Sequence, residues 1–547
     1  MSADRNEPLQ SPDQSPDRGA APGETGRVAA NPYPESGVRI PPPPGRIRPG
    51  GLTEDGRLRN GRLAGKTMNG AILILSWPIL IESLLSSLVG FVDTRLASGL
   101  GVGETDAIGA ASYITWFFGL TVMALGIGAT AVISRAVGRG RLAVANAAVG
   151  QTILLQIATG IIVAACVIAL APSVASVMNL TGDARRAFVS YLSIVATGIP
   201  LMGVLYGSIA CVRGAGDSIR PLLVMIVVNI VNITASFALS GVDIAATRFE
   251  DGEPVTKILI ANPFPTELGV VGIALGTIIA HFVGMVLMIG VLINGVGGVR
   301  LIGRRLKLHT HTARRLVRLG LPNFIETLGL WLGNFAVVLM VGSMGAGALG
   351  THIIAIRAEA FSFLPGFAMG AAAATLVGQY LGAGSIAMAR AAVWRCALIA
   401  CGLMGAFGAA FILFPVAIVS IFSEQPEHLA SAPKLLVICG VVQIPFALSI
   451  VFRQAMRGAG DVRMAMMLTW ATTYGVRLPL AFVFSGADLA FTRTVDGEFV
   501  RTVILVNPFR DEPTLTGLWY ALCAELVVRG AVYTARFLQG GWAHKKV

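Results

Sequence analysis

Long apolar runs separated by short polar loops make up most of the chain after residue 66. An apolar run of about twenty residues is long enough to cross the hydrocarbon core of a bilayer as a helix. Twelve such runs lie near residues 70–96, 107–133, 144–171, 187–211, 220–241, 268–296, 319–343, 348–377, 387–416, 434–456, 463–485 and 515–539. The pattern predicts an all-α polytopic membrane protein with twelve transmembrane helices.

The composition excludes a soluble multidomain protein, because 54% of the 547 residues are apolar, only 13% are charged and the mean hydropathy is +0.72. The 65 glycines suit close helix contacts in lipid. The six cysteines lie in or beside apolar runs without metal-binding spacing. We therefore expect them to be packing residues, and we expect neither a metal ion nor a cofactor.

Residues 1–66 lack any apolar run and are rich in proline, glycine and arginine, so a disordered tail without a cleaved signal peptide is expected. The net charge of +12 comes mainly from basic residues in alternate loops. That bias indicates membrane orientation rather than binding of nucleic acid, and it predicts cytoplasmic termini in the plasma (inner) membrane. Residues 300–318 interleave basic and apolar positions and are predicted to be an amphipathic linker on the cytoplasmic surface.

The second half of the chain repeats the first at an offset of 244 residues. Glu82 returns as Glu326, and the RGAGD segment at 213–217 returns unchanged at 457–461. Six helices per half give two lobes inserted the same way round, related by a pseudo-two-fold axis along the membrane normal. Alternating opening of the cleft between such lobes is the usual mechanism of a secondary transporter.

The repeat places an N-lobe at residues 67–299 and a C-lobe at 319–547. Polar insertions at 242–266 and 486–513 follow the fifth helix of each lobe, at an offset of 245. Each has two β-prone arms around an Asp-Gly pair and is predicted to be a small β-hairpin. The hairpins could gate the outer mouth, or they could be stiff solvated loops.

The first apolar run carries two carboxylates, Glu82 and Asp93, which lie three helical turns apart on one stripe. A charge at the centre of a membrane helix costs about 2.5 to 3.5 kcal/mol, so such residues usually serve a function, here binding of a proton or ion. The alternative is structural, with Asp93 wetted by headgroup water at the helix end and Glu82 hydrogen-bonded to a neighbouring helix.

The eighth predicted helix contains Arg357 and Glu359, which point to different sides because they are two residues apart. Each needs a partner on another element, and Glu82 or Glu326 are candidates for the arginine. His352 on the same helix is a lone intramembrane histidine, a type of residue that more often packs than takes part in chemistry.

The chain resembles the multidrug and toxic compound extrusion (MATE) family. The resemblance is carried by WPILIESLLSSLVGFVDT at 77–94, GATAVISRAVGRG at 128–140, the two RGAGD segments, and the stretch from 349 to 384 that begins LGTHIIAIRAEAF. It implies twelve helices in two lobes and an antiporter, which we expect to be a monomer in membrane lipid and not an enzyme. Such a protein exports organic, often cationic, compounds in exchange for H⁺ or Na⁺.

The same resemblance implies roles for individual residues. Asp93 occupies the acidic position of the first helix and Asn232 the asparagine of the fifth, so both are predicted, with Glu82, to couple ion movement to transport. Other acidic positions of the family have changed, to Ser236, Leu330 and Phe446. These losses favour H⁺ over Na⁺. Predicted residues of the substrate cleft are Glu326, which could replace the acid missing one turn later, and Asn229, His352, Arg357 and Glu359.

Three other functions remain as alternatives to an antiporter. A lipid-linked oligosaccharide flippase would share the two-lobed plan but needs a basic cleft. A membrane-embedded enzyme needs a motif such as HExxH, and a channel needs a pore-loop filter segment; the sequence contains neither.

Overall fold

The computed structural model describes residues 51–547, except residues 99, 101, 179, 181, 251–252, 265, 267, 424, 496–497, 510–511 and 546. The first half contains α1 (Met68–Ser98), α2 (Val102–Gly138), α3 (Leu142–Val177), α4 (Gly182–Thr197), α5 (Ile199–Gly214), α6 (Ile219–Ser240) and α7 (Gly269–Asn294). The second half contains α8 (Thr310–Gly342), α9 (Ala346–Gly382), α10 (Ile386–Leu413), α11 (Pro415–Phe422), α12 (Pro426–Val441), α13 (Gln443–Ala459), α14 (Val462–Thr472), α15 (Leu478–Ser485) and α16 (Leu515–Gln539). This order gives two six-span lobes.

Twelve spans account for these helices. Within the described ranges, nine single helices are long and apolar enough to cross a membrane, and two bent pairs raise the number to eleven. The pairs α4–α5 and α12–α13 bend by 46° and 59°, and each break is followed within three residues by a proline, Pro200 or Pro445. The remaining span, the eleventh in chain order, joins α14 to α15 through a π-helical turn at Thr473–Arg477, so no single helix there spans alone.

Each half carries the predicted hairpin. The strands are β1 (Ile244–Glu250) with β2 (Glu253–Ile260), and β3 (Leu489–Val495) with β4 (Glu498–Leu505). Both pairs are antiparallel, and both have a register shift at the first residue of the leading strand. The predicted Asp-Gly turns lie outside the described residues.

One asparagine anchors each hairpin to the end of the preceding helix. The main-chain N–H of Asn262 donates to Asp243 at 2.6 Å, and its side-chain amide donates to the carbonyl oxygen of Phe237 at 2.6 Å. Asn507 makes the same bond to Asp488, at 2.8 Å. Two hydrogen bonds at the base of a two-stranded sheet hold it in a fixed orientation.

Two predicted boundaries require correction. The seventh span begins at Thr310, nine residues before the predicted start, because Ala313 and Leu316 are buried while Arg314 between them is exposed. The second part of the predicted linker is therefore the first turns of α8. Residues 51–66, predicted as part of the disordered tail, pack against the bundle because Leu58 and Leu63 are buried in the C-lobe core. Residues 1–50 lie outside the described residues.

Candidate functional site

The same ion pair occurs in both lobes. The carboxylate of Glu82 on α1 contacts the guanidinium of Arg213 at the end of α5. Its repeat equivalent, Glu326 on α8, lies 2.8 Å from Arg457 at the end of α13. Both arginines begin an RGAGD segment. Both partners recur in the repeat, but helix periodicity alone does not predict that they pair.

Glu82 and Glu326, the candidate partners of Arg357, each bind an arginine of their own lobe. The described ion pairs include none between Arg357 and either carboxylate, and the partner of Arg357 stays a prediction. Helix periodicity describes the faces of one helix and does not identify the neighbouring helices.

The pair in the C-lobe is the more deeply buried of the two and has further partners. Glu326 is fully buried, and it accepts a hydrogen bond of 2.6 Å from Thr469 on α14. The Thr469 hydroxyl also lies 2.6 Å from the hydroxyl of Tyr533 on α16. Arg453 approaches Glu326 to 3.9 Å. Glu326, predicted to line the cleft, therefore belongs to a polar network that joins four spans inside the C-lobe.

A second cluster lies in the same lobe. Glu525 on α16 binds Arg529 at 2.6 Å and Arg477 at 2.9 Å. Arg477 also donates to Asn334 on α8 at 2.7 Å. Arg529 donates to Thr473 at 2.9 Å. The cluster ties the eleventh span to its neighbours on both sides.

The π-helical turn explains how this cluster forms. A π turn accommodates one extra residue in a helix, and such turns are frequent at functional sites. The turn at Thr473–Arg477 supplies both Thr473 and Arg477 to the cluster. The sequence carried a signal for it, because the repeat offset rises from 244 at RGAGD to 245 at the hairpin. The extra residue falls between these two points.

The two clusters contain more arginines than glutamates. Four arginines (Arg453, Arg457, Arg477 and Arg529) surround two glutamates (Glu326 and Glu525). Within the described part of the C-lobe interior, these networks carry an excess of positive charge and leave neither carboxylate without an arginine.

The described buried polar groups of the N-lobe are mainly hydroxyls and amides. Asn232 on α6 donates to Thr277 on α7 at 3.2 Å, and its side-chain oxygen has no hydrogen-bond partner among the described atoms. The side-chain nitrogen of Asn229 also has no hydrogen-bond partner among the described atoms, and Asn229 and Asn232 are both buried. Ser236, one turn further, lies 3.5 Å from the carbonyl oxygen of Ile273. Unsatisfied buried amides can bind a polar ligand.

Asp93 belongs to α1, three turns after Glu82, but its side chain lies outside the described part of the structure. The helix α1 packs against α6, which carries Asn232. The two predicted coupling residues therefore lie on neighbouring helices, and the role of Asp93 stays a prediction.

Arg357 and Glu359 lie on different faces of α9. Ala355, one turn before Glu359, is buried with Cys439 in the C-lobe, whereas Arg357 is exposed on the opposite face. Thr375 follows Arg357 by eighteen residues, five complete helical turns, and donates to the carbonyl oxygen of Arg213 in the N-lobe. Arg357 therefore lies on the face of α9 that contacts the opposite lobe further along the helix.

His352 is buried within the C-lobe. Trp519 on α16 donates from its indole nitrogen to Nδ1 of His352 at 3.1 Å, and the two rings meet edge to face. This contact fits a packing residue, and a cleft role for His352 stays a prediction.

The lobes contact each other where α2 and α9 end, and the contact is symmetric. Gly138 on α2 packs against the carbonyl oxygen of Gln379, and its equivalent Gly382 on α9 packs against that of Arg135. Gln379 donates to Gly214 at 3.1 Å, and Arg135 donates to Ala459 at 3.4 Å. We call this region the closed end. It is the end that carries both RGAGD segments.

Two packed lobes with a duplicated ion pair define the chain as a two-lobed polytopic membrane protein built from an internal repeat. A family profile described as MatE matches residues 78–238 and 322–483, more than half of the chain. The chain belongs to the MATE family of efflux transporters.

Individual relatives extend the match over most of the chain. A probable multidrug resistance protein NorM of Thermotoga maritima is 25% identical over 478 residues, which cover 87% of this chain and 93% of the relative. The multidrug resistance protein PmpM of Pseudomonas aeruginosa is 24% identical, covering 76% of this chain and 84% of PmpM. A solved outward-facing structure of a multidrug resistance MATE family transporter superimposes with a TM-score of 0.73 at 18% identity, covering 87% of this chain and 97% of that one.

Proposed function

We propose that this protein is a secondary antiporter that exports organic, often cationic, compounds in exchange for H⁺ by alternating access of its two lobes. The observation that carries the proposal is the reciprocal contact of α2 and α9 at the closed end. Two rigid lobes that meet at one end can exchange access by breaking that contact and forming another at the opposite end. The names of NorM and PmpM support efflux and do not favour the flippase alternative.

The basic loops at the closed end support a cytoplasmic location for it, and therefore an arrangement that faces outward. In that arrangement Asp93 takes a proton from the outer side. Protonation removes a negative charge from the N-lobe and lowers its affinity for a cation in the cleft. A proton can drive export only if it binds the two arrangements with different affinity.

We propose H⁺ rather than Na⁺ as the coupling ion because Glu326 and Glu525 are not free to bind a metal cation. A sodium site needs several oxygen ligands that are free to coordinate a hard cation. In the described C-lobe interior, Glu326 and Glu525 are each bound by arginine. The acidic positions changed to Leu330 and Phe446 supply no replacement.

The test is efflux of a dye cation from proteoliposomes with an imposed H⁺ or Na⁺ gradient. A proton gradient should drive transport and a sodium gradient should not. Asp93→Asn should abolish the response, whereas Asp183→Asn, at an exposed surface ion pair, should leave it unchanged. Proton-driven export by Asp93→Asn would refute the coupling role, and transport driven by Na⁺ alone would refute the choice of ion.

A further inference from the structure

Arg453 on α13 has the weakest described partners among the four arginines of the C-lobe networks. Its Nη1 lies 3.9 Å from Glu326, which is too far for a hydrogen bond. Arg457, one turn further along the same helix, binds the same carboxylate at 2.8 Å. Within the described ranges the guanidinium of Arg453 donates no hydrogen bond, and its Nε is buried without a partner. Glu326 therefore has its close partner without Arg453.

The internal repeat shows that the ion pair does not need this additional arginine. The equivalent carboxylate in the first half, Glu82, pairs with Arg213. At the offset of 244, the position of Arg453 corresponds to Ile209, which is buried and apolar. An additional cation inside a membrane-spanning lobe costs free energy. Its presence in only one half indicates a role other than holding the carboxylate.

The Arg453 side chain is accessible although it lies inside the lobe. It is 19% exposed, against 8% for Arg457. Arg453 precedes the end of α13 at Ala459 by six residues, a rise of about 9 Å. Nε is enclosed, but Nη1 and Nη2 are not, so these two donors carry accessible surface. An incoming group can therefore reach the two terminal nitrogens.

The accessible side of Arg453 faces the interior of the protein rather than lipid. Its neighbour Phe452 packs against aromatic rings of α10 and α16, and Gln454 packs against α9. Arg453 points away from both, towards Glu326 on α8. The helix α13 also contacts α2 of the opposite lobe. Because a guanidinium in lipid is costly, its open surface belongs to the passage between the lobes.

The charges around Arg453 leave the site positive. Glu525 binds two other arginines, Arg477 and Arg529. Glu359 on α9 lies within electrostatic range of Arg477. The four arginines of the two networks therefore outnumber the three described carboxylates near them by one. A negatively charged ligand group gains Coulomb energy in such a site, because little water is present to screen it.

We propose that Arg453 binds an anionic group of the transported compound, a carboxylate or a sulfonate, so that the substrates include zwitterions and anions. The inference rests on the proposed export function and adds the chemical class of the substrate to it. Nη1 and Nη2 of a guanidinium form a planar fork that matches two oxygens of such a group. The site distinguishes an acid from its ester, because an ester has no negative charge.

The test compares two dyes that differ in that one group. Rhodamine 110 carries a carboxylate, and rhodamine 123 is its methyl ester, a cation with the same ring system. Fluorescence polarisation measures the Kd of each dye for the full chain in detergent. We expect rhodamine 110 to bind the wild-type protein more tightly. Arg453→Gln should weaken the binding of rhodamine 110 about tenfold, through loss of a charged hydrogen-bonding partner, and change that of rhodamine 123 less than about twofold.

Two further variants separate binding from folding. Arg453→Lys keeps the charge without the planar fork and should lose less affinity for rhodamine 110 than Arg453→Gln. If Arg453→Gln does not fold, Arg453→Lys carries the test, and its ratio of the two Kd values should move towards one. Arg390→Gln is the matched control, because Arg390 is exposed on α10 and should leave both Kd values unchanged.

The outcomes distinguish this site from the export function. Equal losses for both dyes in Arg453→Gln would overturn the proposal, since they would indicate a structural role. A wild-type protein without preference for rhodamine 110 would overturn it as well. The binding assay needs no ion gradient. Normal Arg453-dependent binding without proton-driven efflux would therefore refute the antiport mechanism alone, and normal efflux without such binding would refute the anionic site alone.

Discussion

Arg135 and Gln379 occupy equivalent positions in the two halves, 244 residues apart, and each donates a hydrogen bond to the RGAGD segment of the opposite half. Separation of the lobes at the closed end must break both bonds together. The interface is therefore a two-fold contact that either forms or opens as a unit, as alternating access requires.

The close approach of α2 and α9 can be tested at Gly138. A Cβ there would overlap the carbonyl oxygen of Gln379, so Gly138→Ala should destabilise the protein by about 1 to 3 kcal/mol. Gly402→Ala is the control, because no atom lies within 4 Å of its added Cβ and alanine favours a helix. Thermal unfolding should show opposite shifts in Tm. A rise in Tm for Gly138→Ala would contradict the tight contact.

The duplicated ion pairs should contribute unequally to stability. Glu326→Gln leaves two arginines beside a neutral amide in a buried site and should cost about 3 to 5 kcal/mol. Glu82→Gln should cost less, because Glu82 and Arg213 are less deeply buried than Glu326 and Arg457. Asp183→Asn, at an exposed pair with Arg186, should cost less than about 1 kcal/mol. Denaturant unfolding in detergent measures the series, and equal losses in all three variants would disprove this ranking.

The extra residue of the π-helical turn can be removed by deleting Gly475. The deletion rotates Arg477 by about 100° relative to the preceding helix and should separate it from Glu525. We expect a lower Tm and loss of dye efflux. Deletion of Glu512, in the exposed connection before α16, is the control. Normal stability and transport after deletion of Gly475 would show that the turn is dispensable.

Arg357 should influence which charges the cleft accepts. If it faces the passage between the lobes, Arg357→Gln removes a repulsive charge and should lower the KM for a dye cation about threefold to tenfold, with less change in kcat. Arg390→Gln, an exposed arginine on α10, should leave the KM unchanged. An unchanged KM in Arg357→Gln would place that side chain away from the substrate.

The spans were predictable because a bilayer demands about twenty apolar residues whatever the tertiary contacts. The hairpins were predictable from their Asp-Gly pairs for a similar, local reason. Residues 51–66 were assigned wrongly because average composition hides two leucines, Leu58 and Leu63, whose burial is decided by a surface formed elsewhere in the chain.

The ion pairs were less predictable, because pairing depends on which helices become neighbours. Glu82 and Arg213 are 131 residues apart, and periodicity does not connect them. The repeat could have connected them, since glutamate and arginine both recur at the same offset. The pairing of Arg477 with Glu525 could not be found in this way, because it depends on the extra residue of the π-helical turn, which is present only in the second half.

The extra residue of the π-helical turn limits which segments of one half could replace their equivalents in the other half. A chimera in which residues 219–240 replace 463–485 would be short by one position, and the hairpin that follows would attach on a different side of the span. The two halves have therefore ceased to be interchangeable parts, and a protein assembled from two first halves would lack the arginine excess of the natural second half.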